Sequence, residues 1–256
     1  MFILTFDVES AYALNPNLES DSNWNIWLEE TLASITQITQ LLKKHKVPAT
    51  FFIVGKVIER AGQDLSNLLN DNFLFDIGSH TYSHMEILSA HSETKNKFKN
   101  ELIKTPKLIL KHFDGIGPPD QPMPALFTQP YWHTQDGFTD LLEIPATGWH
   151  CNLLFNTGRQ SDGWQPSPGF VDGTILAKLP ETLEEGFLVR RKEFQYAIDN
   201  NLVYGPAMHP WSVYRFDPEL KHIEWLIEMA KDNNVPIMNC RQLYDKHITN
   251  AQKNNE

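Results

Sequence analysis

FILTFDVES (residues 2–10) joins an apolar, β-branched and aromatic run to two acids at its end, Asp7 and Glu9. Such a run predicts a buried strand over 2–8. Residues two apart on a strand point to the same side, so both carboxylates face one cavity while Val8 packs the other way. ATFFIVG (49–55) and FLFDIG (73–78) read as the next two strands, and LVYGPAMHP (202–210) and VPIMNC (235–240) as later ones. Helical stretches separate them. WNIWLEETLASITQITQLLKKH (24–45) carries apolar residues at helical spacing, a second helix reaches about Leu69, and residues 93–112 read as a third that Pro106 kinks or breaks. ALFTQPY (125–131) is a further candidate strand, and 156–186 reads as a long irregular loop. Asp217 and Pro218 form an N-cap and first-turn pair for a helix to about Asp232, and 241–248 is a last helix. Strand–helix alternation with short connections predicts an α/β chain with a parallel sheet.

The 256 residues suffice for one large core, with a polar tail over 250–256 after a single unit spanning 1–249. The net charge is -10 and Lys and Arg form no run longer than three, which argues against nucleic acid or an anionic membrane as partner. No apolar run approaches a membrane span, and none with the pattern of a signal peptide precedes the first strand. Two cysteines, Cys151 and Cys240, are too few for a disulfide framework or a zinc knot. The expectation is a reduced, cytoplasmic protein.

The chemistry concentrates at strand ends. GSHTYSH (78–84) follows the third strand and carries His80 and His84, four apart and on one face if the segment is helical. His209 lies in GPAMHPW at the end of another apolar strand. Parallel barrels build their sites at the C-terminal ends of strands. Two imidazoles and a carboxylate are a catalytic donor set for a divalent ion, and a further carboxylate is a candidate base. Each residue alone has a plainer reading: acids where a strand enters solvent, a chance histidine pair among ten, a histidine bonded to backbone. Trp149 and Trp211 read as packing residues. The combination is what points to a hydrolase.

Together the motifs resemble those of the polysaccharide deacetylase family (carbohydrate esterase family 4, the NodB-homology domain). LTFDVES resembles its first motif, GSHTYSH its H-[ST]-x-x-H motif and AMHPW its last, with FTQPYW where the third belongs. The resemblance implies a distorted (β/α) barrel of about seven parallel strands, and hydrolytic removal of an N- or O-acetyl group from a carbohydrate. It implies one divalent metal ion, zinc first with cobalt, nickel or iron as alternatives, held by His80, His84 and Glu9. The family's usual first motif has adjacent aspartates; here Val8 takes the second place and Glu9 supplies the ligand, an Asp-x-Glu variant. By the same resemblance Asp7 is the general base and His209 the general acid. Two departures stand out. The third motif lacks its arginine, with Thr128 and Gln129 in FTQPYW and Arg190, Arg191 or Arg215 as substitutes from elsewhere. The fourth motif has only Asp162 and Trp164 as candidates. The alternatives are cleavage of a non-sugar or cyclic amide, and a saccharide-binding pseudoenzyme.

Overall fold

The computed structural model describes residues 1–10, 24–71, 73–84, 97, 99–101, 103–105, 107–108, 129–134, 140–149, 151–155, 170–171, 174–175, 180 and 182–253. In chain order the elements are β1 (Phe2–Ile3), β2 (Thr5–Val8), α1 (Trp24–His45), β3 (Ala49–Ile53), α2 (Gly55–Leu69), β4 (Phe75–Ser79), β5 (Tyr131–Trp132) and β6 (Leu142–Glu143). They continue with α3 (Cys151–Leu154), β7 (Phe170–Val171), β8 (Thr174–Ile175), α4 (Leu183–Asp199) and β9 (Ala207–Met208). The chain ends on α5 (Pro210–Phe216), α6 (Lys221–Asp232), β10 (Ile237–Met238) and α7 (Cys240–Lys253). The described positions between 97 and 108 are also helical.

The centre is a parallel sheet in the order β4-β3-β2-β9, with β10 parallel to β1. Only Leu4 separates β1 from β2, and the run alternates as strand geometry requires. Phe2, Leu4, Phe6 and Val8 belong to the main apolar core beneath the helices. Ile3 turns the other way, into a smaller cluster with Phe52, Val203, Cys240 and Leu243. The odd-numbered face is therefore the inner one, and Asp7 and Glu9 continue it. The fold is the expected α/β type, parallel strands and helices alternating as in a distorted (β/α) barrel. Among the described residues the parallel strands are the β1–β2 run, β3, β4, β9 and β10, and β5–β6 and β7–β8 are antiparallel ladders.

Several boundaries differ from expectation for local reasons. Over 202–210 only Ala207–Met208 forms a strand, with one bridge at Tyr204, because Gly205-Pro206 interrupts the ladder and Pro210 opens α5. Asp217 does not cap α6. It closes α5, and α6 begins at Lys221 after Leu220 in the left-handed region (φ 56°). The Asp217 carboxylate still serves α6, accepting from the His222 amide at 2.6 Å. Residues 183–186 are helical rather than loop, since α4 starts there with Thr182 as N-cap, its hydroxyl accepting from Glu185 N. The last helix is longer than 241–248 and runs through 250–253 of the expected tail. Of ALFTQPY, 125–128 lie outside the described residues, and Tyr131 enters an antiparallel pair instead of the parallel sheet.

Candidate active site

The strands deliver the expected residues to one place. Asp7 and Glu9 stand at the end of β2, His80 directly follows β4, and His209 directly follows β9. All three strands are parallel, so these are C-terminal ends on one edge of the sheet. Glu9 Oε1 lies 2.8 Å from His80 Nε2 and 3.0 Å from His84 Nε2. Its other oxygen is 3.5 Å from His209 Nε2, which is 3.7 Å from Asp7 Oδ2. Asp7, Glu9, His80 and His209 are buried, while the His84 side chain keeps 31% of its surface exposed, so the cluster opens to solvent on that side.

His80 and His84 do not meet on a helix. The loop between them turns twice through the left-handed region, at Thr81 (φ 56°) and His84 (φ 54°), which brings the rings to 5.0 Å between centroids. Three sets of bonds hold that loop. His80 N donates to Ile53 O, continuing the β3–β4 ladder. The first amides of α2, on Gly55 and Lys56, donate to the carbonyls of Thr81 and Tyr82 at 3.0 and 2.9 Å. No side chain caps α2, so the histidine loop satisfies two of its otherwise orphaned N–H groups. The third is Glu101, whose carboxylate accepts from the amides of Tyr82 and Ser83 and from the Ser83 hydroxyl. Glycine at residue 55 leaves the loop its room, since a Cβ there would lie 2.7 Å from the Tyr82 ring and 2.8 Å from Thr105 Oγ1 and would force a neighbour to shift.

Burial alone opposes ionisation of Glu9, but the adjoining His209 and His84 outweigh it and hold its carboxyl well below the usual range. Burial likewise opposes a charged His209, yet Glu9 and the Cys151 thiol hold its imidazole well above its ordinary value. The donor atoms of Glu9, His80 and His84 all lie within 4.8 Å of one another, and so do those of Asp7, Glu9 and His209. Tetrahedral coordination at about 2.0–2.1 Å separates donors by roughly 3.3 Å. The first trio therefore fits a divalent ion after its Glu9 contacts lengthen by a few tenths of an ångström.

Arg190 is fully buried and gives its guanidinium to Glu193 (2.9 Å) and Tyr204 (3.4 Å), and Arg215 pairs with Glu30 while lying over Trp27 and Trp211. Arg191 is exposed. Gln129 Oε1 accepts from Val203 N at 2.7 Å. Thr128, Asp162 and Trp164 lie outside the described residues, and Trp149 and Trp211 are core residues as expected. Two site residues carried no sequence signal. Glu101 sits on a helix without a motif, and Cys151, read only for disulfides, lies with its thiol 3.5 Å from His209 Nδ1.

The chain is similar to several known proteins. The Polysaccharide deacetylase family model matches residues 3–132, just over half of the chain. A peptidoglycan-N-acetylglucosamine deacetylase of Bacillus cereus is 31% identical over 105 residues, which are 40% of this chain and 36% of that protein, so the match spans about a third of the relative. A Mycobacterium smegmatis structure assigned to the polysaccharide deacetylases superposes with a TM-score of 0.67 at 18% identity, covering 98% of this chain and 90% of its own. The Puue allantoinase reaches 0.64 at 15% identity, over 90% and 84%. At these identities the structural likenesses establish the fold alone. The family model, whose span takes in Asp7, Glu9, His80 and His84, carries the assignment: this chain belongs to the polysaccharide deacetylase family.

Proposed function

We propose that this chain is a metal-dependent hydrolase that removes an acetyl group from a carbohydrate, an N-acetylated amino sugar first, as the name of its Bacillus cereus relative suggests. The observation that carries the reading is the convergence of Glu9, His80 and His84 beside Asp7 and His209 on one sheet edge. Glu9, His80 and His84 would hold the ion. Zinc suits two imidazoles and a carboxylate, and cobalt, nickel and iron suit them nearly as well. When bound, the ion supplies Lewis-acid chemistry, acidifying a water and polarising an acyl carbonyl. Asp7 takes the proton released as water attacks the acyl carbon. His209 Nε2, on the same side as Asp7, protonates the nitrogen as the carbon–nitrogen bond breaks, leaving acetate and a free amine. For an O-acetyl substrate the same proton goes to the departing oxygen.

The test is elemental mass spectrometry on the protein beside its His80→Ala and His84→Ala variants, followed by acetate release from N-acetylglucosamine oligosaccharides. The expected result is one divalent ion per chain, lost in both variants together with acetate release. Full metal content in either variant would overturn the ligand assignment. Hydrolysis of cyclic amides with no acetate from any sugar would move the reaction to the other amide class.

A further inference from the structure

We propose that Lys56, Arg60 and Lys104 form an anion subsite at the rim of the candidate active site, which makes the substrate an acidic saccharide. The inference rests on the reading of the site as a carbohydrate deacetylase. It narrows the substrate to one with a carboxylate or sulfate on a sugar beside the acetylated one. The rim is built on the histidine loop, on the side where His84 opens the cluster to solvent. Tyr82 stands two residues before His84, and the cations gather around it. Lys104 Nζ lies over the Tyr82 ring, 3.7 Å from its centre. Lys56, the second residue of α2, donates its amide to Tyr82 O at 2.9 Å, and Arg60 follows four residues on, on the same face of that helix. The Arg60 guanidinium packs at 4.3 Å over Trp24, the first residue of α1.

Charge decides what such a rim can hold. The whole chain is acidic, with a net charge of -10, so an acidic ligand is repelled unless the entry itself is positive. Two carboxylates share the rim with the cations. Glu101 is buried and already accepts from the Tyr82 and Ser83 amides and the Ser83 hydroxyl, and exposed Glu59 accepts from the Tyr82 hydroxyl at 2.8 Å. Arg60 and Lys104 are exposed and enter no ion pair with a described residue. Aromatic faces hold both side chains while their charged heads stay in water, which leaves them to a ligand. Lys56 lies beside them, partly buried. Burial first pushes its ammonium below the ordinary value, Glu101 and Glu59 raise it, and Lys104 and Arg60 lower it again. Lys97, one turn before Glu101 on the helical stripe Lys97, Glu101 and Lys104, adds a further exposed positive charge to this flank. A guanidinium takes a carboxylate or sulfate through two parallel N–H bonds, and ammonium groups supply point charges beside it. A neutral sugar leaves those charges unmatched.

The experiment uses the zinc-loaded full chain and three tetrasaccharides: neutral N-acetylglucosamine, the same sugar alternating with glucuronic acid, and its sulfated form. Acetate release is measured as kcat and KM at low and high salt, in wild type and in a variant combining Lys56→Gln, Arg60→Gln and Lys104→Gln. Wild type is expected to favour an acidic tetrasaccharide about tenfold in kcat/KM, almost wholly through KM, and to lose that preference at high salt. The combined variant loses it as well. A preference for only one of the acidic pair identifies the acid and supports the subsite. Equal kcat/KM for neutral and acidic tetrasaccharides in wild type, or a preference that survives in the combined variant, would overturn the proposal. If the combined variant does not fold, Lys104→Gln alone, at an exposed position, is expected to lower the preference about threefold, and an unchanged preference there would overturn it equally. If no saccharide releases acetate, binding measured by calorimetry decides. Tighter binding of an acidic tetrasaccharide, lost in the combined variant, would fault the proposed reaction and leave the subsite standing, whereas equal binding would reject both.

Discussion

Asp7 and Glu9 lie on one side of the sheet because a strand alternates its side chains, and Val8 between them is buried among core residues. That alternation separates their roles as well as placing them. Glu9 meets His80 and His84 through one oxygen, whereas Asp7 lies on the His209 side. An isosteric change at Asp7 therefore tests proton transfer without removing a donor from the trio. Asp7→Asn is expected to keep its metal and lose roughly 10²–10⁴ in kcat, measured by acetate release beside elemental analysis. Metal loss in that variant would show Asp7 to be a ligand. At this scale the five residues that the fold brings together, Asp7, Glu9, His80, His84 and His209, were already candidates in the sequence, since they stand at or just after the ends of apolar runs. Cys151 and Glu101 were not, because a thiol and a carboxylate that meet a neighbour's ring or backbone leave no spacing to read.

Helix α2 and the histidine loop form one unit, the helix's first amides bonding the loop's carbonyls and Gly55 giving the loop room. Gly55→Ala places a methyl group against Tyr82, and the neighbour that gives way is the loop carrying His84. Its expected outcome is a folded protein with about tenfold weaker metal affinity, an energetic cost near 1.4 kcal/mol, read by competition with a chelator. Unchanged affinity would show that the loop adapts without moving its histidines. Helix α4 shows why other elements escaped the sequence. Its buried face runs Gly186, Val189, Arg190, Glu193, Phe194 and Ala197, at regular helical spacing. Two of those six positions are charged, so an apolar period is not visible. Only the fold pairs Arg190 with Glu193 and supplies Tyr204 and the Trp149 amide to complete the carboxylate's bonds. Conversely α1 matched its reading from Trp24 to His45, because a long stripe of Ile and Leu leaves little ambiguity.

Across the whole molecule, burial makes folding sensitive to acid. His222 is fully buried among the rings of Phe155, Phe187 and Phe216, and its ring nitrogens have no hydrogen-bond partner among the described residues. Burial first, and the Arg190 charge second, push its imidazole well below the ordinary 6.5. The unfolded chain then binds a proton that the folded chain refuses. Stability from this group is complete above about pH 6.5 and declines as pH falls from there toward the depressed folded value. His222→Phe is expected to flatten that part of the decline, seen as a smaller difference in urea midpoint between pH 7 and pH 5 than in wild type. Equal differences would show that His222 titrates normally. The sequence by itself determined the α/β class, the order of the strands and the residues at their ends, because apolar period and chain order are local properties. Only the tertiary structure decided which of those ends meet. The sheet order β4-β3-β2-β9 sets residue 9 beside 80 and 209, and the two left-handed turns at Thr81 and His84, held by α2 and Glu101, bring the second histidine to the first. Such contacts join atoms far apart in the chain, and their energies come from packing and hydrogen bonds that no local pattern records.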